Sequence, residues 1–155
     1  MVYHPRLSEM LAVVGRIKPQ AITADQAATS DIVDMRYHAR LLAIVNLGEY
    51  AAGNNGSVAV QLYADSAADM ATEAAITGKA LTAATFTGSA GDDAVGIIEL
   101  TAEELAAIGQ TMRYVRLKIT PSVQNLTAGA VLLADHSRYA KAGQFDLAAV
   151  KEIIA

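Results

Sequence analysis

Within the stretch Met112-Arg113-Tyr114-Val115-Arg116-Leu117-Lys118-Ile119-Thr120-Pro121, apolar and polar or aromatic residues alternate from Tyr114 to Thr120. Successive side chains of an extended strand point to opposite faces, so Val115, Leu117 and Ile119 share one side. Tyr114, Arg116 and Lys118 share the other. The segment reads as a half-buried strand with a basic, aromatic outer face. No reactive cluster accompanies it. A chain organised this way points to a β-rich domain built to pack and be packed against.

At 155 residues the chain is long enough for one domain with a real core. Hydrophobic residues make up 53% but aromatics only 5%, so Ala, Val, Ile and Leu must build that core. The net charge is 12 − 16 = −4. That balance, with no run of five like charges, argues against a general nucleic-acid binder. The absence of cysteine removes disulfides, thiolate catalysis and Cys-based metal sites. No apolar run approaches the ~18 residues of a spanning helix, and Met1-Val2-Tyr3-His4-Pro5-Arg6 lacks the pattern of a signal peptide. The expectation is a soluble protein made and used without export.

Residues 6–14 read as a short helix, with Ser8 as N-cap and Leu7, Leu11 and Val14 on one face, or as an arm with a strand-like Val13-Val14 step. From Ala21 the pattern becomes β. Asp31 to Tyr37 alternates, with Val33, Met35 and Tyr37 together. Arg40 to Leu47 is apolar on both faces, as in a central strand covered on both sides. Gly53-Asn54-Asn55-Gly56 signals a tight hairpin reversal. Ser57 to Asp65 alternates, with Val58, Val60 and Leu62 inward and Gln61, Tyr63 and Asp65 outward. Residues 66–92 read as a long irregular excursion with short strand pieces. Val95 to Leu100 is another strand. Thr101-Ala102-Glu103-Glu104 is a capping box opening a short helix through Leu105 and Ile108, which Gly109 ends. After the 112–120 strand comes a turn from Pro121 to Thr127, then a strand from Ala130 to Asp135. Phe145 to Ala155 reads as a short amphipathic helix with Leu147, Val150 and Ile154 on one stripe. Too short to stand alone, it must dock on something.

These elements predict a mainly β fold: an antiparallel β-sandwich or jelly-roll-like domain with one or two short helices and extended termini. The expected organisation is an N-terminal arm over 1–20, the sandwich over 21–140 and a C-terminal tail or short helix over 141–155.

The chemistry-bearing residues form no motif. His4, His38 and His136 are too far apart in sequence for a local metal site. Asp135, His136 and Ser137 are adjacent, and neighbours on a strand point to opposite faces, so they cannot form a relay. Gly91-Asp92-Asp93 supplies only part of a calcium loop, and no phosphate-cradling glycine motif is present. The expectation is no catalytic residue, no metal and no cofactor.

Several strands resemble a known family. Asp34-Met35-Arg36-Tyr37 runs into Leu41-Leu42-Ala43-Ile44-Val45-Asn46-Leu47-Gly48. Gly56-Ser57-Val58-Ala59-Val60-Gln61-Leu62-Tyr63-Ala64-Asp65-Ser66 follows. Together they resemble tailed-phage virion proteins, in which an apolar strand ends in Asn-x-Gly and a T-V-x-V-x-L-Q-x-S-x-D strand comes after a turn. Arg113 to Ser122 and Thr127-Ala128-Gly129-Ala130-Val131 resemble the R-Y-V-R-V-x-x-T and T-A-G strands of the same group. The family is that of the capsid cement, or decoration, proteins of tailed bacteriophages, and the resemblance spans roughly residues 22–138.

The resemblance implies a non-enzymatic virion protein. It would sit on the outer face of a phage head, assembled in the host cytoplasm, as a homodimer or homotrimer clamping major capsid subunits. The contact residues expected are Tyr114, Arg116 and Lys118 on the outer strand face, with Tyr3, His4 and Arg6 in the N-terminal arm. Nucleic acid and membrane are not expected partners. Two alternatives stand beside this reading: a head–tail connector or tail component, and a carbohydrate-binding β-sandwich with Tyr63, Tyr114 and Tyr139 as a stacking platform.

Overall fold

The computed structural model describes residues 10–50, 56–81, 84–86 and 93–135. Among the described residues ten strands carry the fold: β1 (Leu11–Ile22), β2 (Ala28–Thr29), β3 (Val33–Asp34), β4 (Arg40–Tyr50), β5 (Gly56–Asp65), β6 (Ala74–Ala80), β7 (Ala84–Phe86), β8 (Ala94–Thr101), β9 (Tyr114–Ser122) and β10 (Leu126–Asp135). A single α-helix among the described residues, α1 (Ala102–Ile108), follows β8.

All the strand pairs are antiparallel. One sheet runs β1-β10-β4-β8, the other β2-β9-β5-β6, with β3 joining β9 and β7 joining β5. Count β2 with β3 as one interrupted strand, and β6 with β7 as another. The first strand then pairs with the last, the second with the penultimate, and so on inward. That is one long hairpin rolled over on itself, which is a jelly roll, the architecture of viral capsid and lectin domains among others. The expected fold class is therefore observed.

The alternation seen in the sequence positions the core. β9 is buried at every second residue, and Val115, Leu117 and Ile119 are fully enclosed. Val58, Val60 and Leu62 on β5 lie on the same inner face. Leu41, Val45, Leu100, Leu126 and Leu132 from the first sheet join them in one apolar cluster. Gly129 on β10 sits where the edge strand β1 crosses closest. A β-carbon there would lie 3.1 Å from the Pro19 backbone, beside the bulge between Ile17 and Gln20.

The capping box forms as read: the Thr101 hydroxyl accepts from the Glu104 amide at 3.1 Å, and the Glu104 carboxylate accepts from the Thr101 amide at 2.8 Å. Thr101→Ala is expected to lower stability by about 1 kcal/mol, measured by urea unfolding. An unchanged midpoint would mean that packing of Leu105, rather than the cap, holds this helix.

Several expectations are corrected. Leu11–Ile22 is a strand paired along β10, so residues 11–20 belong to the sheet rather than to an arm or helix. The alternation from Asp31 stops at Asp34, whose side chain accepts from the Arg36 amide and turns Met35–Tyr37 into a 3-10 turn. β4 and β5 lie in different sheets and do not pair, so they form no hairpin; Gly53, Asn54 and Asn55 of the reversal signal lie outside the described residues. Pro121 is inside β9, opposite Val58, and β10 starts at Leu126. Asp65 is buried, not outward. It holds the start of the β5–β6 connection by accepting from the Ala67 and Thr72 amides and the Thr72 hydroxyl.

Candidate functional site

Among the residues singled out for contact, Tyr114, Arg116 and Lys118 are described. Tyr3, His4 and Arg6 lie outside the described residues. The three on β9 do share the outer face of the second sheet, each half-buried. They do not form a free basic stripe. Glu73, just before β6, reaches across and forms ion pairs with both Arg116 and Lys118. Its side chain is only 11% exposed. The Arg116 hydrogen bond, first of all, holds the Glu73 carboxyl below the ordinary range, with Lys118 adding to it against the opposing effect of burial.

At the end of the same face, Arg113 forks onto Asp34, its Nε donating to Oδ1 at 2.7 Å. Burial pushes the Asp34 carboxyl up, but the Arg113 fork and the Arg36 amide outweigh it and leave it below its ordinary value. The Arg113 guanidinium is raised in turn by the same bond. Cations also cover the rings. The Lys118 ammonium lies 4.5 Å from the Tyr63 ring centre and the Arg113 guanidinium 4.7 Å from that of Tyr114. Two rings of the envisaged sugar platform thus each have a face occupied. Tyr139 lies outside the described residues.

The chemistry-bearing residues are dispersed. His38 is buried, its Nδ1 3.0 Å from the Asp135 carbonyl oxygen. His4, His136 and Ser137 are outside the described residues. Glu104 serves the helix cap and pairs with Lys79 at 2.6 Å. Among the described residues no three His, Cys, Asp or Glu side chains gather to hold a metal ion.

Two features escaped the sequence reading. The first is the outer face of the β1-β10-β4-β8 sheet. The register sets Val13, Leu133 and Leu42 in one row that ends on Glu99, and Val131, Ile44 and Ile97 in the next, which begins on Arg16, with Val95 beyond, opposite Asn46. Val95 and Ile97 are 64% and 60% exposed, and Val131 is 42% exposed. The second is Val123, at the tip of the β9–β10 turn, 63% exposed and held at φ 70°. A β-branched residue pays a steric penalty there that glycine or asparagine would avoid. An apolar, branched residue inside the polar run Ser122-Val123-Gln124-Asn125 was the available signal. For the sheet face, the signal was β4 reading as apolar on both sides.

No protein-family model matches the chain. No curated protein matches it either. Among solved structures, a chain of Desmodium yellow mottle tymovirus is similar over 92% of this chain and 97% of its own, at 12% identity and a TM-score of 0.34. An overlap that loose carries no argument about function.

Proposed function

We propose that the chain is a structural virion protein without enzymatic activity. It binds the outside of a tailed-phage head and reinforces contacts between major capsid subunits. The observation that carries this reading is Val123: an apolar knob held in a costly backbone conformation at the exposed end of a jelly roll. Strain kept at a solvent-facing tip is a pointer to a contact made there, because a domain folding for its own sake gains by relaxing it. The resemblance of the β4, β5, β9 and β10 strands to cement proteins supports the same reading. The face of Tyr114, Arg116 and Lys118, partly neutralised by Glu73, is a second surface suited to a neighbouring subunit, since tyrosine and arginine are enriched where subunits meet. Many symmetry-related copies make weak single contacts sufficient.

Val123→Gly tests it. Relief of the left-handed strain is expected to outweigh the added chain entropy and to raise stability by about 0.5–1 kcal/mol. Affinity for heads is expected to fall about tenfold or more, as loss of a central apolar anchor does. A variant that is more stable and decorates heads as tightly as the parent would remove Val123 from the contact. A connector role instead predicts a ring's worth of copies per particle rather than a lattice's.

A further inference from the structure

We infer that the open edge of β8 is a pairing edge, along which a second copy of the chain adds its own β8, antiparallel, about a twofold axis through Ile97. β8 ends the β1-β10-β4-β8 sheet, and among the described residues no strand lies beyond it. The Ala102 amide donates to the Ala39 carbonyl at 2.9 Å, continuing the register of Arg40 with Thr101. Hydrogen-bonded pairs alternate along an antiparallel ladder. Leu100, Ile98 and Gly96 therefore bond to β4, while Val95, Ile97 and Glu99 turn their amides and carbonyls to the open edge. The Thr101 amide, of the same parity, is spent on the Glu104 carboxylate at 2.8 Å. The opposite edge of this sheet is blunted: β1 has two register shifts against β10, with Lys18 and Pro19 inside the second. β8 has no register shift against β4 and neither Pro nor Lys among its eight residues. Val95 and Ile97 stand well exposed on it.

Charge and hydrogen bonding select the occupant and its register. An axis through Ile97 sets the two Ile97 residues against each other, with Val95 of each copy opposite Glu99 of the other. Each of these three pairs exchanges two hydrogen bonds, about six in all. Asp93 of one copy then falls across from Thr101 of the second, one strand from its exposed Arg40. Opposite charges thus approach at both ends of the seam, as in complementary interfaces. Moving the axis to Gly96 puts Asp93 against Glu99, and like charges directly opposite are destabilising. Moving it to Ile98 puts Val95 against Thr101, whose amide is already taken. With the axis at Ile97, the outer-face row Val131, Ile44 and Ile97 of one copy runs on into Ile97, Ile44 and Val131 of the other. The exposed aliphatic side chains at the rim of each sheet become the middle of one continuous sheet, built from two four-stranded halves. The edge is self-complementary in this one register, which is what a symmetric pair of identical subunits requires.

The chain has no cysteine, so an introduced thiol reports without background. In full-length protein, Ile97→Cys is expected to form a disulfide-linked dimer under mild oxidation, because a hydrogen-bonded antiparallel pair holds its Cα atoms ~5.5 Å apart, within disulfide reach. It should link about tenfold faster than Val131→Cys, which is exposed on the same face but lies two strands in from the edge, too far from its mate to bridge. Equal rates, faster linkage at Val131, or no linked dimer would overturn the inference. Ile97→Lys sets two ammonium groups against each other at the axis. Its dimer should be about tenfold weaker or more by sedimentation equilibrium, with an unchanged circular dichroism spectrum because the side chain faces solvent in the single chain. A variant that dimerises as tightly as the parent, or a parent that sediments as a monomer, would also overturn it. Both measurements are made without phage heads, so this inference and the capsid reading can fail separately.

Discussion

Shortening Leu117 to alanine is expected to lower stability by about 3–4 kcal/mol, the cost of removing a fully enclosed leucine and leaving a cavity that cannot collapse. Leu117 is 0% exposed in the middle of β9, opposite Leu62 of β5. Its backbone is fixed on the other side too: its amide donates to the Ser30 hydroxyl at 2.9 Å, and its carbonyl accepts from the Ser30 amide at 2.9 Å. Neighbours so constrained have little room to close in on the missing atoms. Urea unfolding should show a lower midpoint with an unchanged slope. A loss under about 1 kcal/mol would mean that the second sheet packs more loosely around β9 than its burial indicates.

Replacing Glu73 with glutamine is expected to cost about 1–2 kcal/mol at neutral pH, the range between exposed ion pairs and hydrogen bonds to charged groups. The change leaves Arg116 and Lys118 side by side without their shared anion. It also makes that sheet face more strongly basic. The pH dependence follows from the direction of the shift. A carboxyl whose folded pKa is depressed contributes stability that is complete above its unfolded value, about 4.3 for glutamate. That stability is lost as pH falls through the lower folded value. Glu73 and Asp34 are both depressed. The parent protein should therefore hold its stability down to about pH 5 and lose it below about pH 4. In Glu73→Gln the acid loss should be shallower, by up to about 1.4 kcal/mol per pH unit. Identical acid profiles for the two proteins would mean that Glu73 titrates alike folded and unfolded, and that its ion pairs contribute nothing.

The elements legible in the sequence were those whose physics is local. The alternation of β9 and β5 fixes which side chains face inward, and Thr101 with Glu104 fixes where α1 begins. The errors lie where a partner distant in sequence decides. β1 carries Gly15 and Pro19, which read as breakers. Both are tolerated in an edge strand that bulges around them and needs a ladder on one side only. The Asn-Gly signal suggested that β4 and β5 pair, but their separation into opposite sheets is set by pairing with β10 and β9, far along the chain. Asp65 looked outward by parity. It is buried because its carboxylate is the hub of the following turn. For the candidate surfaces, Tyr114, Arg116 and Lys118 were placed on the correct face, but the anion that neutralises them sits in an irregular segment over forty residues earlier. The apolar face of the first sheet becomes visible only when β4, β8 and β10 are laid side by side.

The account's central claim is that this jelly roll works by lattice contact. Light scattering of the purified protein, alone and with purified tailed-phage heads, tests that claim most directly. The prediction is self-association into a dimer or trimer and saturable mass gain on heads at hundreds of copies per particle. A monomer that adds no mass to heads at any concentration would contradict it.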